Sequence, residues 1–225
     1  MRISILGGTG DLGKGLALRW IKNHDIIVGS RVKDKAVKVV EEYLNIARDH
    51  YGENIVGNMI GEDNFTAVKK GEVIVPCISH EYIVDFAKSI KPLIKEDQII
   101  ISPITILEKK DKNFYYNPII YEGKSFSATQ LLREILKTNK VVAAFQTISA
   151  KKLSDLKLEL NYDVLLCGDD RDSIEKARGL VEEIKNLKTY YVGDLSLSSL
   201  VEAQTALLLN LSIRNKIKEP SIKII

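Results

Sequence analysis

Three glycines with the spacing Gly-x-Gly-x-x-Gly stand near the start of the sequence, at Gly8, Gly10 and Gly13. This spacing indicates dinucleotide binding only when it lies between a strand and a helix. Apolar residues predict a strand near 2–6, and residues at helical spacing predict a helix over 11–22. We therefore expect the turn to hold a pyrophosphate at the start of the helix, where free N–H groups and the helix dipole favour negative charge.

Each glycine has an expected role in such a turn. Gly8 allows the tight turn, Gly10 lets the backbone approach the pyrophosphate, and Gly13 lets the helix lie close to the strand. The alternative interpretation is a glycine-rich turn that binds no ligand.

The residues after the second predicted strand, over 25–29, indicate which dinucleotide binds. Sites that prefer NAD place an acidic residue about 20 residues after the glycines, but here Ser30 and Arg31 follow the strand. Ser30 can donate a hydrogen bond to a 2′-phosphate, and the planar guanidinium of Arg31 can bind it through two N–H groups, with Lys35 close by. Each charge-assisted contact is worth about 1.5–3 kcal/mol, so two favour NADP(H) over NAD(H) by about two to four orders of magnitude. The alternative is an ordinary charged helix start.

The composition is that of a globular protein. The 225 residues are 45% hydrophobic and 28% charged, with a net charge of +3. That charge gives no reason to expect nucleic-acid binding, and no apolar run approaches the ~18 residues of a membrane span.

Cysteine and histidine spacing also limits the possible functions. Cys77 and Cys167 lie in predicted strands without metal-ligand spacing, and His24, His50 and His80 are far apart. We therefore expect no metal site, although distant ligands can converge in space. We also expect a cytoplasmic protein without disulfides, because the sequence shows no signal peptide.

Strand and helix patterns alternate almost throughout, which predicts an α/β fold with a doubly wound, mostly parallel sheet. We expect one domain over 1–225, with 151–225 as a small C-terminal α/β extension. Further predicted strands lie near 55–60 and at 72–78, 99–101, 141–145, 164–167, 190–192 and 221–225. Further predicted helices lie at 33–50, 65–70 capped by Asn64, 80–90 capped by Ser79, 127–138, 172–186 and 196–216.

Two segments have open interpretations. Residues 107–125 read as an irregular surface excursion or a hairpin. The apolar helix over 196–216 either closes the ligand cleft or pairs with a second subunit, and we expect a homodimer.

In an open α/β sheet the ligand lies beyond the carboxyl ends of the strands. Three polar side chains in the sequence are candidates for contact with a substrate. His80 is a candidate proton donor, although a polar residue in a first helical turn is the simpler interpretation, and Gln146 and Gln204 are candidates to bind a carbonyl or amide. The pair Asp169–Asp170 reads as a helix start. The lack of an acid/base set suits hydride transfer between two carriers, which depends mainly on positioning.

Several motifs resemble the archaeal reduced-coenzyme-F420:NADP oxidoreductase family along the full length. They are MRISILGGTGDLGKGLALR at the start, IIVGSR at 26–31, Ser102–Pro103, LCGDD at 166–170 and SLVEAQTALLLN at 199–210. The resemblance implies a Rossmann-type sheet and hydride transfer between NADP(H) and the 5-deazaflavin coenzyme F420.

The resemblance also implies roles for individual residues. It assigns Thr9, Gly10, Asp11 and Leu12 to the pyrophosphate of NADP(H). It assigns Ser30, Arg31 and Lys35 to the 2′-phosphate, and Ile78 and Ala150 to the nicotinamide side.

The chain departs from the family pattern around the other half of the site. Ile78-Ser79-His80 stands where the family often has Ile-Pro-aromatic, Ile104-Thr105-Ile106 replaces a second proline-containing turn, and Gln146-Thr147-Ile148-Ser149 replaces His-Thr-Ile-Pro. These departures and the missing acid/base set leave two alternatives to the F420 reaction, the first favoured by the altered loops and the second by the missing set. One is an NADPH-dependent reductase of another small molecule or a metal complex, and the other is a non-catalytic NADP(H) sensor.

Overall fold

The structure is a computed structural model that describes residues 1–225. The strands of the main sheet are β1 (Arg2–Leu6), β2 (Asp25–Ser30), β3 (Met59–Asp63), β4 (Val73–Pro76), β5 (Ile99–Ser102), β10 (Val141–Ala143), β11 (Tyr162–Gly168) and β12 (Leu187–Gly193). Four short strands, β6 (Glu108–Lys110), β7 (Asn113–Tyr115), β8 (Ile119–Tyr121) and β9 (Lys124–Phe126), lie outside it. The helices are α1 (Asp11–Trp20), α2 (Lys33–Tyr51), α3 (Asn64–Lys70), α4 (Ile83–Ile90), α5 (Ala128–Leu136), α6 (Ala150–Ser154), α7 (Arg171–Glu182) and α8 (Ser198–Asn215).

The main sheet has eight strands in the order β12-β11-β10-β5-β4-β1-β2-β3. Neighbouring strands are parallel except β10 and β11, which are antiparallel. The strand order reverses between β1 and β4, which is the position where doubly wound sheets bind dinucleotides. The predicted fold class, a Rossmann-type and mostly parallel sheet, is confirmed, and β11 and β12 extend the same sheet.

Both faces of the sheet are covered, because its central strands are apolar on both sides. One core contains 33 buried residues packed between the sheet and α1, α2 and α7, and the other contains 17 under α3, α4 and α5. Trp20 is fully buried in the larger core, where its Nε1 donates to the carbonyl oxygen of Leu180 at 2.8 Å. This bond attaches α1 to α7.

The excursion over 107–125 forms two hairpins, β6–β7 and β8–β9. The first hairpin is attached to α8 through Asn210, whose Oδ1 accepts from Phe114 N at 3.0 Å and whose Nδ2 donates to Phe114 O at 2.7 Å. The excursion is therefore fixed to the C-terminal helix.

Several predicted boundaries are wrong for identifiable reasons. Asp63, not Asn64, caps α3, because its carboxylate accepts from Thr66 N at 2.9 Å. Ser79 makes no side-chain cap, and a 3-10 helix (His80–Tyr82) precedes α4. Cys77 lies just after β4. The predicted strand over 221–225 is not a strand. Its backbone instead binds the buried Asp163 at the start of β11.

The predicted helix over 196–216 begins as a 3-10 turn (Leu195–Leu197) and continues as α8. Val201 of α8 packs on Ala143 and Cys167, so the helix lies against β10 and β11. No helix of the chain combines the length and the apolar character that crossing a membrane requires.

Candidate active site

The turn between β1 and α1 contains three close backbone approaches, at Gly7, Gly8 and Gly13. Gly7 has φ +70°, and a Cβ there would lie 2.5 Å from the carbonyl oxygen of Cys77. Gly8 donates to Gly29 O at 2.9 Å, and a Cβ on Gly8 would lie 2.7 Å from Ile5 O. The glycine that needs the left-handed conformation is therefore Gly7 rather than Gly8, which is required instead for its approach to β1.

The other two glycines differ in what surrounds them. A Cβ on Gly13 would lie 2.5 Å from Gly8 Cα, so this glycine lets α1 lie close to the turn rather than to the strand itself. A Cβ on Gly10 would meet nothing nearer than Gly7 O at 3.6 Å. Gly10 is also the N-cap of α1 and offers no side-chain cap. The first-turn N–H groups of α1 are therefore left for an anion.

Two side chains that the sequence analysis missed hold this turn from outside. Asn64 Oδ1 accepts from Gly7 N at 3.2 Å, and Tyr43 donates from its hydroxyl to Gly8 O at 3.2 Å. Both residues are buried, and burial raises the pKa of the Tyr43 hydroxyl, so it stays a donor. The only signal in the sequence was an asparagine next to a helix cap and a tyrosine on an apolar helix face, and neither pattern points to the turn.

The end of β2 presents a small basic surface. Ser30 is buried, and its Oγ accepts from Val32 N at 3.3 Å, so its hydroxyl proton is available to a ligand. Arg31 and Lys35 are exposed, and neither forms an ion pair within the chain. Three donors therefore converge at this strand end without a competing carboxylate partner.

A carboxylate does lie on the neighbouring strand, but it is neutralised. Glu62 of β3 pairs in register with Gly29 of β2. Its carboxylate forms ion pairs with Lys33 at 2.8 Å and with Lys70 at 2.6 Å, and these two lysines lower its pKa. Glu62 was missed in the sequence because the contact depends on the pairing of β2 with β3.

Two cavities open at the carboxyl ends of the parallel strands. The β2-side cavity, of about 460 Å³, is bordered by Thr9, Ser30, Arg31, Lys35 and Asn64. The β5-side cavity, of about 370 Å³, is bordered by Asp11, Leu12, His80, Pro103, Thr105 and Leu107. They share Gly10, Cys77, Ile78 and Ser79, so the two cavities meet over the strand-order reversal. Burial raises the pKa of the Cys77 thiol to about 12, so this group is neutral and does not act as a nucleophile at neutral pH.

Some residues singled out in the sequence lie away from these cavities. Ala150 borders neither one and begins α6, which packs on α1 where a Cβ on Gly15 would lie 2.9 Å from Leu153 Cγ. Gln146 is buried and donates to Ser102 O at 2.7 Å, while Gln204 also lies outside both linings.

Asp170 caps α7 at the opposite edge of the sheet, in a surface pocket with Ile99 and Lys140. This is the helix start that the sequence predicts. Asp169 pairs with Arg133 at 2.6 Å. Neither carboxylate therefore lies beside the cofactor cleft.

The reversal of strand order, the glycine turn and the two joined cavities define a dinucleotide-binding protein of the Rossmann class. The family model described as "NADP oxidoreductase coenzyme F420-dependent" matches residues 2–105. The F420-dependent NADP reductase of Methanocaldococcus jannaschii is 35% identical over the whole chain and 98% of the relative. The F420-dependent NADP reductase of Methanothermobacter thermautotrophicus is 31% identical over the whole chain and 94% of the relative. The chain belongs to the family of F420-dependent NADP reductases.

Solved structures agree on the fold. A candidate F420-dependent NADP reductase from Arthrobacter sp. FB24 superposes with a TM-score of 0.79 at 16% identity, covering all of this chain and 99% of the other. At that identity the similarity shows a shared fold, and it extends over the whole chain.

Proposed function

We propose that this protein transfers a hydride between NADP(H) and coenzyme F420. The observation that carries the proposal is the meeting of the two cavities at Ile78, one beside the phosphate-binding residues and the other open at the end of β5. The full-length similarity to two F420-dependent NADP reductases supports it. When bound, the nicotinamide and the deazaflavin supply the redox chemistry, and the protein holds them in place.

The residues divide into three groups under this proposal. Thr9, Gly10, Asp11 and Leu12 surround the pyrophosphate with the N–H groups of α1. Ser30, Arg31 and Lys35 bind the 2′-phosphate, which Glu62 does not repel because its charge is neutralised. Ile78 and Ala150 remain proposed for the nicotinamide side, with Ile78 supported by its place between the cavities.

The direct test mixes the purified protein with NADPH and coenzyme F420 and follows the deazaflavin absorbance. We expect reduction of F420 with NADPH and much slower reduction with NADH. An absence of turnover with either nicotinamide cofactor would reject the proposal.

A second candidate function is the NADPH-dependent reduction of another small molecule. It is favoured by His80 and Thr105, which place polar groups on the wall of the β5-side cavity. A panel of acceptors monitored by NADPH oxidation separates the two functions. If only F420 is reduced, the second candidate is eliminated.

We further propose that the protein is a homodimer that uses the exposed face of α8. Leu200, Leu207 and Leu211 of α8 are 59%, 53% and 41% exposed and stand at helical spacing. Light scattering of the wild type and of Leu207→Glu tests this, with a dimer expected to become a monomer. A wild type that is monomeric at micromolar concentration contradicts it.

We also propose a cytoplasmic location, with which two unpaired cysteines agree. Cell fractionation tests this location. Recovery of the protein outside the cytoplasmic fraction would contradict it.

A further inference from the structure

Glu202 of α8 is fully buried and has no cationic partner. Its relative exposure is 0%, and it takes part in none of the chain's ion pairs. A buried carboxylate without a counter-charge is costly to a fold. A structural contact between two helices is made more cheaply by apolar side chains, so this residue calls for a physical explanation.

The carboxylate is held by the first turn of α5. Its Oε2 accepts from Ala128 N at 2.9 Å, and its Oε1 accepts from Thr129 N at 3.0 Å and from Thr129 Oγ1 at 2.9 Å. Beside it, the hydroxyls of Ser127 and Ser198 are 2.7 Å apart. Glu202 therefore attaches α8 to the start of α5.

A hydrogen-bond chain continues from Glu202 to the end of β5. Thr129 Oγ1 lies 3.3 Å from Ser102 Oγ, and Gln146 Nε2 donates to Ser102 O at 2.7 Å. Ser102 is the last residue of β5, and the next residue, Pro103, begins the wall of the β5-side cavity. The chain thus connects a buried carboxylate to the nicotinamide half of the cleft.

The Thr129 hydroxyl has one proton and two acceptors within reach. When Glu202 is ionised, the Thr129 proton goes to the carboxylate, and Ser102 Oγ is left without this donor. When Glu202 is protonated, its own proton can go to Thr129 Oγ1, and the Thr129 proton then goes to Ser102 Oγ.

Resting on the proposed function, we propose that Glu202 is a positioning residue for the nicotinamide half of the cleft, and that its protonation state sets whether Thr129 donates to Ser102 and with it the position of the Pro103–Leu107 wall. The ionised state holds the start of α5, which contacts Ser102 beside this wall, more firmly, because hydrogen bonds to a carboxylate are about twice as strong as those between neutral groups.

Other groups around Glu202 do not titrate in the same range. Tyr116 from the excursion and Cys167 from β11 face it, and burial raises the pKa of both above their usual values. Asp194 acts on Cys167, and Arg133 of α5 is paired with Asp169. Burial raises the pKa of Glu202 to about 7, against the lowering effect of the four donors that surround it. The change of state thus falls near neutral pH.

The test measures NADPH binding by fluorescence from pH 5.5 to 8.5, which needs no F420. We expect the wild type to bind about 3–10-fold more tightly above the midpoint than below it. The 2′-phosphate of NADPH titrates near pH 6 by itself. The pH dependence of NADPH affinity is therefore compared between the wild type and Glu202→Gln. Because the assay measures binding alone, its outcome stays readable even if the proposed F420 reaction fails.

Three further variants locate the effect. Thr129→Val removes the hydroxyl but keeps the N–H bond to Glu202. We expect this variant, like Glu202→Gln, to lose the pH step, which is the change in NADPH affinity across the midpoint. Thr129→Ser should restore the step, and Glu175→Gln, an exposed glutamate of α7 paired with Arg178, should match the wild type. If Glu202→Gln fails to fold, the two Thr129 variants decide the question.

The proposal is overturned if Glu202→Gln or Thr129→Val retains the wild-type step. It is also overturned if these variants lower NADPH affinity by the same factor at every pH relative to the wild type, because a merely structural contact would give that result. A step of opposite sign contradicts it as well, since a through-space effect of a buried negative charge would weaken binding of the anionic cofactor on the alkaline side.

Discussion

The side-chain oxygen Oδ1 of Asn64 lies 3.2 Å from the amide nitrogen of Gly7 and accepts its hydrogen bond. This contact joins the start of α3 to the left-handed turn on which the pyrophosphate site is built. A Cβ on Gly29 would lie 2.7 Å from the same oxygen, so three neighbouring elements meet at one amide group.

Asn64→Ala should destabilise the protein and weaken NADPH binding together. The substitution leaves the Gly7 N–H without its partner, which costs about 1–3 kcal/mol. Chemical denaturation and NADPH titration measure the two effects. Asn54→Ala, at an exposed asparagine that binds Tyr51 O at 3.1 Å, is the matched control. Wild-type stability in the Asn64 variant would show that the contact contributes nothing.

Gly10→Ala and Gly13→Ala should have separable effects. The Cβ of Gly10→Ala has room within the chain, at 3.6 Å from Gly7 O, but Gly10 borders both cavities, where we propose that the pyrophosphate binds. Gly13→Ala places a Cβ 2.5 Å from Gly8 Cα and forces α1 away from the turn. We expect Gly10→Ala to lose NADPH affinity with little change in melting temperature, and Gly13→Ala to lose about 1–3 kcal/mol of stability. The reverse pattern would contradict the roles described for the two glycines.

Arg31→Ala should weaken NADPH binding about 10–100-fold while leaving NADH binding nearly unchanged. The guanidinium is free of internal ion pairs and available to the 2′-phosphate. Titration with NADPH and with NADH gives the ratio of the two affinities. Lys38→Ala, at an exposed lysine further along α2, is the control. Equal losses for NADPH and NADH would refute the role in 2′-phosphate binding.

Removing both lysines that neutralise Glu62 should reduce the preference for NADPH. In the double variant Lys33→Met and Lys70→Met, the Glu62 carboxylate stays charged beside the end of β2 and opposes the 2′-phosphate. We expect the NADPH-to-NADH affinity ratio to fall by up to about tenfold at low salt, and by less at high salt because of screening. Adding Glu62→Gln should recover the ratio. No recovery would mean that the lysines bind the cofactor directly.

Sequence patterns predicted much of the fold because the central strands are short apolar runs that alternate with amphipathic helices. The turn glycines and the Ser30–Arg31 pair could be proposed as cofactor-binding residues because that role depends on residues close together in sequence. The antiparallel direction of β11 was not predictable in this way, since an apolar run has no direction of its own.

The residues that the sequence did not reveal act across long separations. Asn64 is 57 residues from Gly7, and Glu202 is 73 residues from Thr129. Asn64 was interpreted as a cap because Asn and Asp are both favoured at that position, and Asp63 occupied it instead. Glu202 stands in a helix among apolar residues, where a glutamate is normally solvated, and only packing against α5 shows it to be buried.

The hydrogen bonds between Asn210 and Phe114 affect how readily another chain can add a strand to the first hairpin. An open strand edge is a template on which another chain can add a strand, and short hairpins outside a main sheet are exposed to that risk. The amide of Asn210 binds both backbone groups of Phe114, on the side of β7 that β6 leaves free. A single helical side chain thus occupies the backbone groups of Phe114 that an added strand would otherwise bind.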